Sequence, residues 1–454
     1  MKAVIKLKKK TVSIKKTLLH LTILMGFVGS SFFVIDLGHF SLFPYRILWI
    51  ILLFFFLLDA LIKQRKVSFN CIKIKHYICF LMLWLYYAVL SLGWAASPVE
   101  AVKEIISLFM GISIILFVIF YFTDIKDLKL FYNSWLLALV TSIGIGIWNY
   151  FTGQTLNPDW IVIEQLDGTI SPTSFYAFPN IFAVFLSLGT PFILTFTRYH
   201  NKPIMKLLGV GVLLLSLYLM WATDTRSGYL AVFSSLTFWF LFMQKSKSKF
   251  KTMALVGLGI LLLFAFFPEF VQNVIKVTRG ELESLVIEWG TPDTSMYWRT
   301  NMIKNGLHFL INSWGFGVGA GNTEHYMSYF YIYDTGGNPY MHNLMAQILT
   351  NYGIFIFGCY IVFYINLVVN LYRVHSKLVV NVEKMICEAL LLGLVGLFFT
   401  GFSTGTIMGF APKWIFFAFV LSFLNYYRNK MESSESCAEN ARRELNVGTQ
   451  RNYI

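Results

Sequence analysis

Charged residues are scarce in this sequence, and their scarcity excludes a soluble domain. Only 13% of the 454 residues are charged, whereas soluble domains carry about one quarter. Cysteine is also rare, with five residues that show no metal-ligand spacing and that all fall outside the predicted external segments. We therefore expect no disulfide and no metal site. Acidic residues are fewer than basic ones, 23 against 37, which gives a formal net charge of +14.

Apolar runs near the length of a membrane-spanning helix recur along the whole chain. Hydrophobic residues make up 57% of it, including 45 phenylalanines, and a helix of about 20 apolar residues crosses a hydrocarbon core. The sequence predicts an all-α integral membrane protein of about 12 transmembrane helices with one large extracytoplasmic loop that contains short amphipathic helices. The predicted spans are 17–36, 41–61, 76–95, 103–122, 130–151, 174–196, 205–222, 228–243, 251–268, 342–371, 384–404 and 407–426.

The basic residues support this segmentation and give it an orientation. Most of the 37 lysines and arginines fall in alternate loops, as cytoplasmic loops do. A lysine-rich start from Met1 followed by an apolar run resembles a secretory signal, but no small-residue cleavage site clearly follows, so we interpret it as an uncleaved first helix. We expect a multi-pass protein of an inner or plasma membrane with both termini cytoplasmic. The positive charge is thereby explained without nucleic-acid binding.

Eight basic residues lie on the predicted outer side, against this bias. A basic residue that lies on the outer side despite this bias more often has a specific anionic partner than one that follows the bias. The eight are Arg46, Lys103, Arg226, Lys276, Arg279, Arg299, Lys304 and Lys413.

The predicted domains follow from the spans. Residues 1–268 hold helices one to nine, 269–341 form the external loop, 342–426 hold helices ten to twelve, and 427–454 form a polar, disordered cytoplasmic tail. Within the loop, apolar residues at helical spacing predict two amphipathic helices along the membrane interface. The first set is Leu282, Leu285, Val286 and Trp289, and the second is Met302, Ile303, Leu307 and Leu310.

Three motifs at the outer face carry residues capable of chemistry. Arg226 lies in TDTRSGYLA between two spans, where its fork of donors suits a phosphate or carboxylate. Snorkelling to headgroups, or pairing with Asp224, is the structural alternative. Arg299 opens RTNMIKNGLHFLINSWGFGVGAGN, whose alternating glycines allow a sharp turn or close approach to a ligand, or form only a flexible turn. His342 begins HNLMAQILTNYG, as a proton-exchanging group or as a hydrogen-bonded structural residue.

Together, the order of these motifs resembles the O-antigen ligase and polysaccharide polymerase superfamily. An Arg in a T-x-x-R segment, a second Arg before W…G-x-G, and then His-Asn before a helix with Asn351 and Gly353 match across roughly residues 215–360. The resemblance implies a metal-independent GT-C-type membrane glycosyltransferase without a cofactor. Its donor would be a lipid-diphosphate-linked oligosaccharide of the undecaprenyl type.

The resemblance also implies roles for individual residues. Arg226 and Arg299 look like the ligands of the donor diphosphate, and His342 looks like the third essential residue, either as a base for the acceptor hydroxyl or as a group that orients the diphosphate. Asp224, Glu324, Asp334 and Asn343 are supporting candidates, with Glu324 and Asp334 as alternative bases. Implied partners are a glycan acceptor, membrane lipids and, as a further candidate, a regulator of chain length.

Three functions remain open at this stage. The external loops lack a further dense basic cluster that would suit a phosphorylated acceptor, which favours a polymerase of lipid-linked repeat units over a ligase that uses a separate acceptor. A transporter of lipid-linked oligosaccharide is the alternative from another class. Transporters tend to place their polar site at the membrane midplane, whereas these motifs converge on the outer face.

Overall fold

The protein is described by a computed structural model in which helices dominate. The structure describes residues 2–38, 40–62, 72–160, 162–164, 168–244, 249–250, 294–402 and 407–451, and the single residues 253, 257, 272 and 291. Among these residues, the one sheet is a short antiparallel pair, β1 (Ile35–Asp36) and β2 (Ser41–Leu42). The prediction of an all-α architecture is confirmed to this extent.

Helices occupy every predicted span that the structure describes. The span at 251–268, and the amphipathic segment around Leu282 to Trp289, lie outside the described residues. The helices are α1 (Lys2–Val28), α2 (Pro44–Ile62), α3 (Lys75–Leu90), α4 (Pro98–Tyr121), α5 (Ile125–Thr152), α6 (Pro179–Tyr199), α7 (Pro203–Ala222), α8 (Arg226–Phe238), α9 (Ser295–Asn312), α10 (Thr323–Tyr329), α11 (Leu344–Lys377), α12 (Asn381–Thr400) and α13 (Ala411–Arg451).

Six helices in the described part of the chain are long and apolar enough to cross a membrane. They are α3 with the 3₁₀ turn that follows it, α4, α5, α6, α7 and α11. Helix α12 fills a predicted span but carries Glu383, Lys384 and Glu388. The structure therefore supports a polytopic membrane protein through these six helices.

Local sequence signals fix several helix boundaries. Pro98, Pro179 and Pro203 open α4, α6 and α7, positions where the missing N–H costs no hydrogen bond. Asp124 forms a capping box at the start of α5, and Gly153 ends that helix in the left-handed conformation with φ 66°. These helices begin within five residues of the predicted spans, at 98, 125, 179 and 203 against the predicted 103, 130, 174 and 205.

Helix α12 lies at the centre of the bundle, packed mainly on α6 and α8. Gly396 allows the close approach, because a Cβ atom there would lie 2.9 Å from Ser235 Oγ. A layer of stacked rings adjoins this contact, with Trp135 5.0 Å from Phe192 between ring centroids. Burying such large rings supplies much of the packing energy of a membrane bundle, where dispersion dominates.

Contacts between distant loops join segments that we predicted to share one side of the membrane. At the predicted outer end, Ser97 N donates to Asn322 Oδ1 over 2.7 Å, and Leu344 N donates to Gly401 O over 2.7 Å. At the predicted inner end, Lys73 N donates to Asn425 Oδ1 over 2.8 Å. These contacts are thus consistent with the predicted alternation of the loops between the two sides of the membrane.

The last helix differs from the expected disordered tail. Helix α13 continues through the polar residues after Asn429 to Arg451. Residues 429–447 contain neither glycine nor proline, the two residues that disfavour a helix most. Low hydrophobicity predicted disorder, but it does not prevent continuation of a helix that is already nucleated in the bundle.

Candidate functional site

Arg226 is the first residue of α8, directly after a tight reversal from α7. Asp224 occupies the reversal with φ 49°, and its N–H donates to Trp221 O over 3.0 Å. Thr225 is the N-cap residue, and Arg226 is half-buried. The reversal therefore sets the guanidinium at the end of α8 where the N-terminal helix dipole favours an anion.

The packing of α8 on α12 shows which end of the bundle this is. Ser235 Oγ donates to Leu392 O over 2.9 Å, whereas Ala231 O lies beside Gly396. The two helices are therefore antiparallel, and five residues further along each one, Arg226 and Gly401 reach the same level. Gly401 O accepts the hydrogen bond of Leu344 N, two residues after His342. Arg226 and His342 thus share one end of the bundle.

Arg299 lies in the second turn of α9, and its charge reaches His342. The pKa of His342 is lowered to about 4, mainly by burial and also by the positive charge of Arg299. The imidazole is therefore neutral at neutral pH. Arg299 and His342 are brought together as the sequence predicts, although 42 positions separate them.

His342 has an unusual backbone conformation. Its φ is 49°, in the left-handed region that few residues other than glycine occupy. Four described residues other than glycine have such a φ, and two of them, Asp224 and His342, belong to the candidate site. Backbone strain of this kind tends to be retained at functional sites.

Two hydrogen bonds of the Asn338 side chain fix the tautomer of His342. The side-chain oxygen of Asn338 accepts from Tyr340 N over 2.9 Å, which turns its Nδ2 toward His342 Nε2 at 3.0 Å. Because Nδ2 is a donor, Nε2 accepts, and the proton of the neutral ring resides on Nδ1. Nδ1 is buried and has no hydrogen-bond partner among the described residues. The ring therefore offers one N–H donor to a ligand.

The supporting candidates Asn343, Asp334 and Glu324 have different surroundings in the structure. Asn343 caps α11, since its Oδ1 accepts from Ala346 N over 3.0 Å. Asp334 is exposed and accepts from Gly336 N over 3.0 Å, which stabilises a turn. Glu324 lies toward α4. Its pKa is raised to about 7, mainly by burial and also by the carboxylates of Glu104 and Glu100, against the opposing effect of Lys103. These contacts give Asn343 and Asp334 structural functions.

The loop that contains the alternating glycines lies against the backbone of α11. Helix α11 is broken at Gly353, with φ 75° and ψ −179°. Val318 N and Gly319 N donate to Thr350 O and Asn351 O over 2.9 and 3.0 Å, and Ile354 N donates to Gly315 O over 2.9 Å. The glycine loop, residues 315–321, thus supplies the hydrogen bonds that the broken helix lacks. A Cβ atom at Gly317 would lie 2.6 Å from Gly353 N.

A cavity of about 180 Å³ lies between α9 and the start of α11. Ile303 and Leu307 of α9 face Asn343 and Thr350 across it. The predicted amphipathic helix is present here, with Met302 and Leu310 buried. The lining of the cavity is mostly apolar and includes Asn343, which follows His342 in the sequence.

Several of the outer basic residues have partners within the protein. Lys103 Nζ lies 2.7 Å from Glu100 Oε1, and Arg46 lies 4.2 Å from the ring centroid of Phe40. Lys413 is buried and interacts electrostatically with Glu104, which accepts a hydrogen bond from Tyr352. These basic residues, which we predicted to lie outside, therefore have partners within the fold. Lys276 and Arg279 lie outside the described residues.

Sequence reasoning missed Asn338, Asn301 and Asn305. Asn338 orients His342, and Asn301 and Asn305 bind the backbone of residues 332–334 from α9. The spacing of Asn301 and Asn305, four residues apart on a predicted helix, was an available signal. In the described part of the chain, no group of three or more His, Cys, Asp or Glu residues is placed to hold a metal ion. Metal independence stays a prediction.

Comparisons with known proteins agree with the motif order. Residues 211–361 match the family model described as O-antigen ligase, a region that includes Arg226, Arg299 and His342. The chain is also 28% identical over 418 residues to the teichuronic acid biosynthesis protein TuaE of Bacillus subtilis (strain 168), covering 92% of this chain and 86% of that protein. The resemblance predicted from the sequence is confirmed: residues 211–361 are similar to the O-antigen ligase family, and most of the chain is similar to a polysaccharide biosynthesis protein.

Proposed function

We propose that the protein is a GT-C-type glycosyltransferase that polymerises lipid-diphosphate-linked oligosaccharide repeat units on the extracytoplasmic face for surface polysaccharide synthesis. The observation that carries this proposal is the proximity of Arg299 to a neutral His342 within the family region. The name of the relative concerns teichuronic acid, which makes an acidic polysaccharide a candidate product.

Arg226 and Arg299 would bind the donor diphosphate. Each guanidinium presents a fork of donors that matches phosphate oxygens. As the glycosidic bond breaks, negative charge grows on the leaving diphosphate, and two fixed positive charges stabilise it more than they stabilise the ground state. This would do the work that a metal ion does in other phosphate chemistry, so no cofactor is needed.

His342 would act as a hydrogen-bond donor that orients the diphosphate. Its Nε2 already accepts a hydrogen bond from Asn338, so the atom available to a ligand is the protonated Nδ1. A general base needs an available lone pair at the acceptor hydroxyl. The hydrogen bonding thus favours orientation over proton abstraction. Glu324, with its raised pKa, remains an alternative base.

The orientation of the chain completes the proposal. Both termini would face the cytoplasm of a bacterial plasma membrane, and residues 269–341 would form the external loop, since basic residues concentrate in the opposite loops. Maleimide that cannot cross membranes should label Tyr331→Cys, but not Glu432→Cys, from outside whole cells in an otherwise cysteine-free chain. The reverse pattern would invert the topology.

Product analysis of the purified protein in liposomes tests the function. The probe is a lipid-diphosphate-linked repeat unit, supplied with a metal chelator. A ladder of lengthened lipid-linked glycans is the expected result. Products that form only with a separate acceptor would support a ligase instead, as the family description suggests. Movement of lipid across the bilayer without new glycosidic bonds would support a transporter and contradict the proposal.

A further inference from the structure

Five consecutive large side chains are exposed at the end of α10 and in the segment that follows it. They are Tyr329, Phe330, Tyr331, Ile332 and Tyr333, with exposed fractions of 72%, 54%, 51%, 58% and 43%. We name residues 329–333 the aromatic segment. Outside the membrane-spanning helices, an exposed apolar patch usually marks a binding site. This patch is dense, with four aromatic rings in five positions.

The backbone at the end of the aromatic segment is held by buried side chains, although the rings are exposed. Asn305 is fully buried, and its Oδ1 accepts from Ile332 N and Tyr333 N over 3.0 and 2.9 Å while its Nδ2 donates to Tyr333 O over 2.8 Å. Asn301, also buried, donates to Asp334 O over 2.8 Å. Two buried amides thus hold the backbone of residues 332–334, and at the other end Phe330 N donates to Tyr326 O over 2.9 Å, which reduces the entropy lost when a ligand binds.

The chain leads directly from the aromatic segment to the candidate site. The segment lies on α9, the helix that carries Arg299, and Asn305 is about 9 Å further along the helix axis than Arg299. After the segment, Gly336 packs against Trp298, and Asn338 then binds His342. A glycan attached to a diphosphate at Arg299 would therefore pass within reach of these rings.

We propose that the aromatic segment binds the sugar rings of the lipid-linked glycan by stacking, an inference that rests on the proposed function. Tyrosine offers a flat apolar face with a polar edge at low conformational cost, which suits a pyranose ring. Aromatic residues that anchor a protein at the membrane interface partition by depth and need no such fixed backbone.

The test compares substrates of two lengths in liposomes. Tyr331→Ala should raise KM about 5- to 10-fold for a lipid-diphosphate-linked substrate with full repeat units, leave kcat unchanged, and have no effect on one with a single sugar. Tyr331→Phe should keep the wild-type KM, because the ring is retained. Phe316→Ala is the matched control, since Phe316 is 63% exposed but lies in the glycine loop.

Three outcomes are distinguishable. Absence of transfer by the wild-type protein would contradict the proposed function itself. Wild-type transfer with an unchanged KM in Tyr331→Ala would overturn only the role of the aromatic segment. A KM effect that is equal for both substrates, or that disappears in detergent micelles, would overturn it in favour of contact with the membrane.

Discussion

At the scale of single residues, His342 is defined by what surrounds it. Burial and Arg299 keep its imidazole neutral with a pKa of about 4, its backbone is held at φ 49°, and Asn338 assigns the proton to Nδ1. A neutral imidazole could act as a general base or as a hydrogen-bond donor. A substitution that removes the titratable nitrogen but keeps the N–H donor distinguishes the two roles.

Replacement of His342 by asparagine makes that distinction, because the amide nitrogen of asparagine stands where histidine has Nδ1. His342→Asn keeps this N–H donor but has no titratable nitrogen, so we expect it to retain about a tenth or more of wild-type kcat/KM, a loss of at most about 1.4 kcal/mol in transition-state stabilisation. His342→Ala should lose about 100-fold or more. Rates of lipid-linked product formation measure both. Equal, near-complete losses in the two variants would show that His342 is a base.

A stability prediction concerns Glu324, whose pKa is raised to about 7. Its ordinary pKa is 4.5, so the folded state binds the proton more tightly than the unfolded state does. The stabilisation is fully present below pH 4.5 and is lost as the pH rises through 7. Glu324→Gln should therefore raise Tm by a few degrees relative to wild type at pH 8 and change it little at pH 4.5, as measured by thermal unfolding in detergent. The exposed Asp334→Asn is the control, and a difference in Tm that does not vary with pH would contradict the prediction.

At the scale of elements, the central feature is the break in α11. The glycine loop restores the hydrogen bonds that Gly353 interrupts, and Asn351 Oδ1 accepts from Thr323 N over 2.9 Å at the start of α10. Helices α9, α10 and α11 are therefore joined at one point. Asn351 and Gly353, which we used as part of the family motif, position the external region relative to the bundle.

Replacement of Gly353 by alanine should destabilise this junction. A residue with a side chain is strained at φ 75° and ψ −179°, and the new Cβ would lie 2.6 Å from the carbonyl carbon of Phe316. We expect a loss of at least about 1–3 kcal/mol in the free energy of unfolding. Gly358→Ala is the matched control: it lies in the same helix with no atom within 4 Å of a Cβ, so alanine should be neutral or slightly stabilising. Equal thermal stabilities of the two variants would contradict this account.

Hydropathy and charge predicted most helices of the fold, and motif order predicted the proximity of Arg299 and His342. The function of the alternating glycines could not be predicted, because their contacts are with residues 350–354 and sequence does not show long-range pairing. The aromatic segment was missed for a similar reason: exposure depends on Asn301 and Asn305, which bind it from another helix. Side-chain periodicity reports burial within one element only.

At the scale of the whole molecule, charged networks lie at the end of the bundle opposite to the candidate site. Glu388 is fully buried and accepts hydrogen bonds from Arg198 Nη1 and Trp239 Nε1 over 2.6 Å each and from Tyr199 O–H over 2.7 Å. His375 Nε2 lies 3.4 Å from the same carboxylate. One carboxylate therefore joins α6, α11 and α12 with the turn that directly follows α8.

Loss of the Glu388 charge should destabilise the bundle as a whole. Removing one partner of a buried ion pair costs about 3–5 kcal/mol, but the Arg198 side chain is 31% exposed, so we expect roughly 2–4 kcal/mol for Glu388→Gln. Thermal unfolding in detergent measures the change. Glu432→Gln breaks a pair with Lys73 in which the glutamate is 55% exposed, and it should change Tm very little. Equal effects of both substitutions would contradict a structural function for the network.

The most direct test of the proposed site is transfer by Arg299→Ala in liposomes, beside wild type and the nearby surface variant Lys304→Ala. Arg299 is proposed to hold the diphosphate on which charge develops, so the variant should insert and fold normally yet lose at least about 100-fold in kcat/KM, whereas Lys304→Ala should retain most of the transfer rate. Wild-type transfer by Arg299→Ala at matched protein amount would remove this residue from the mechanism and contradict the account.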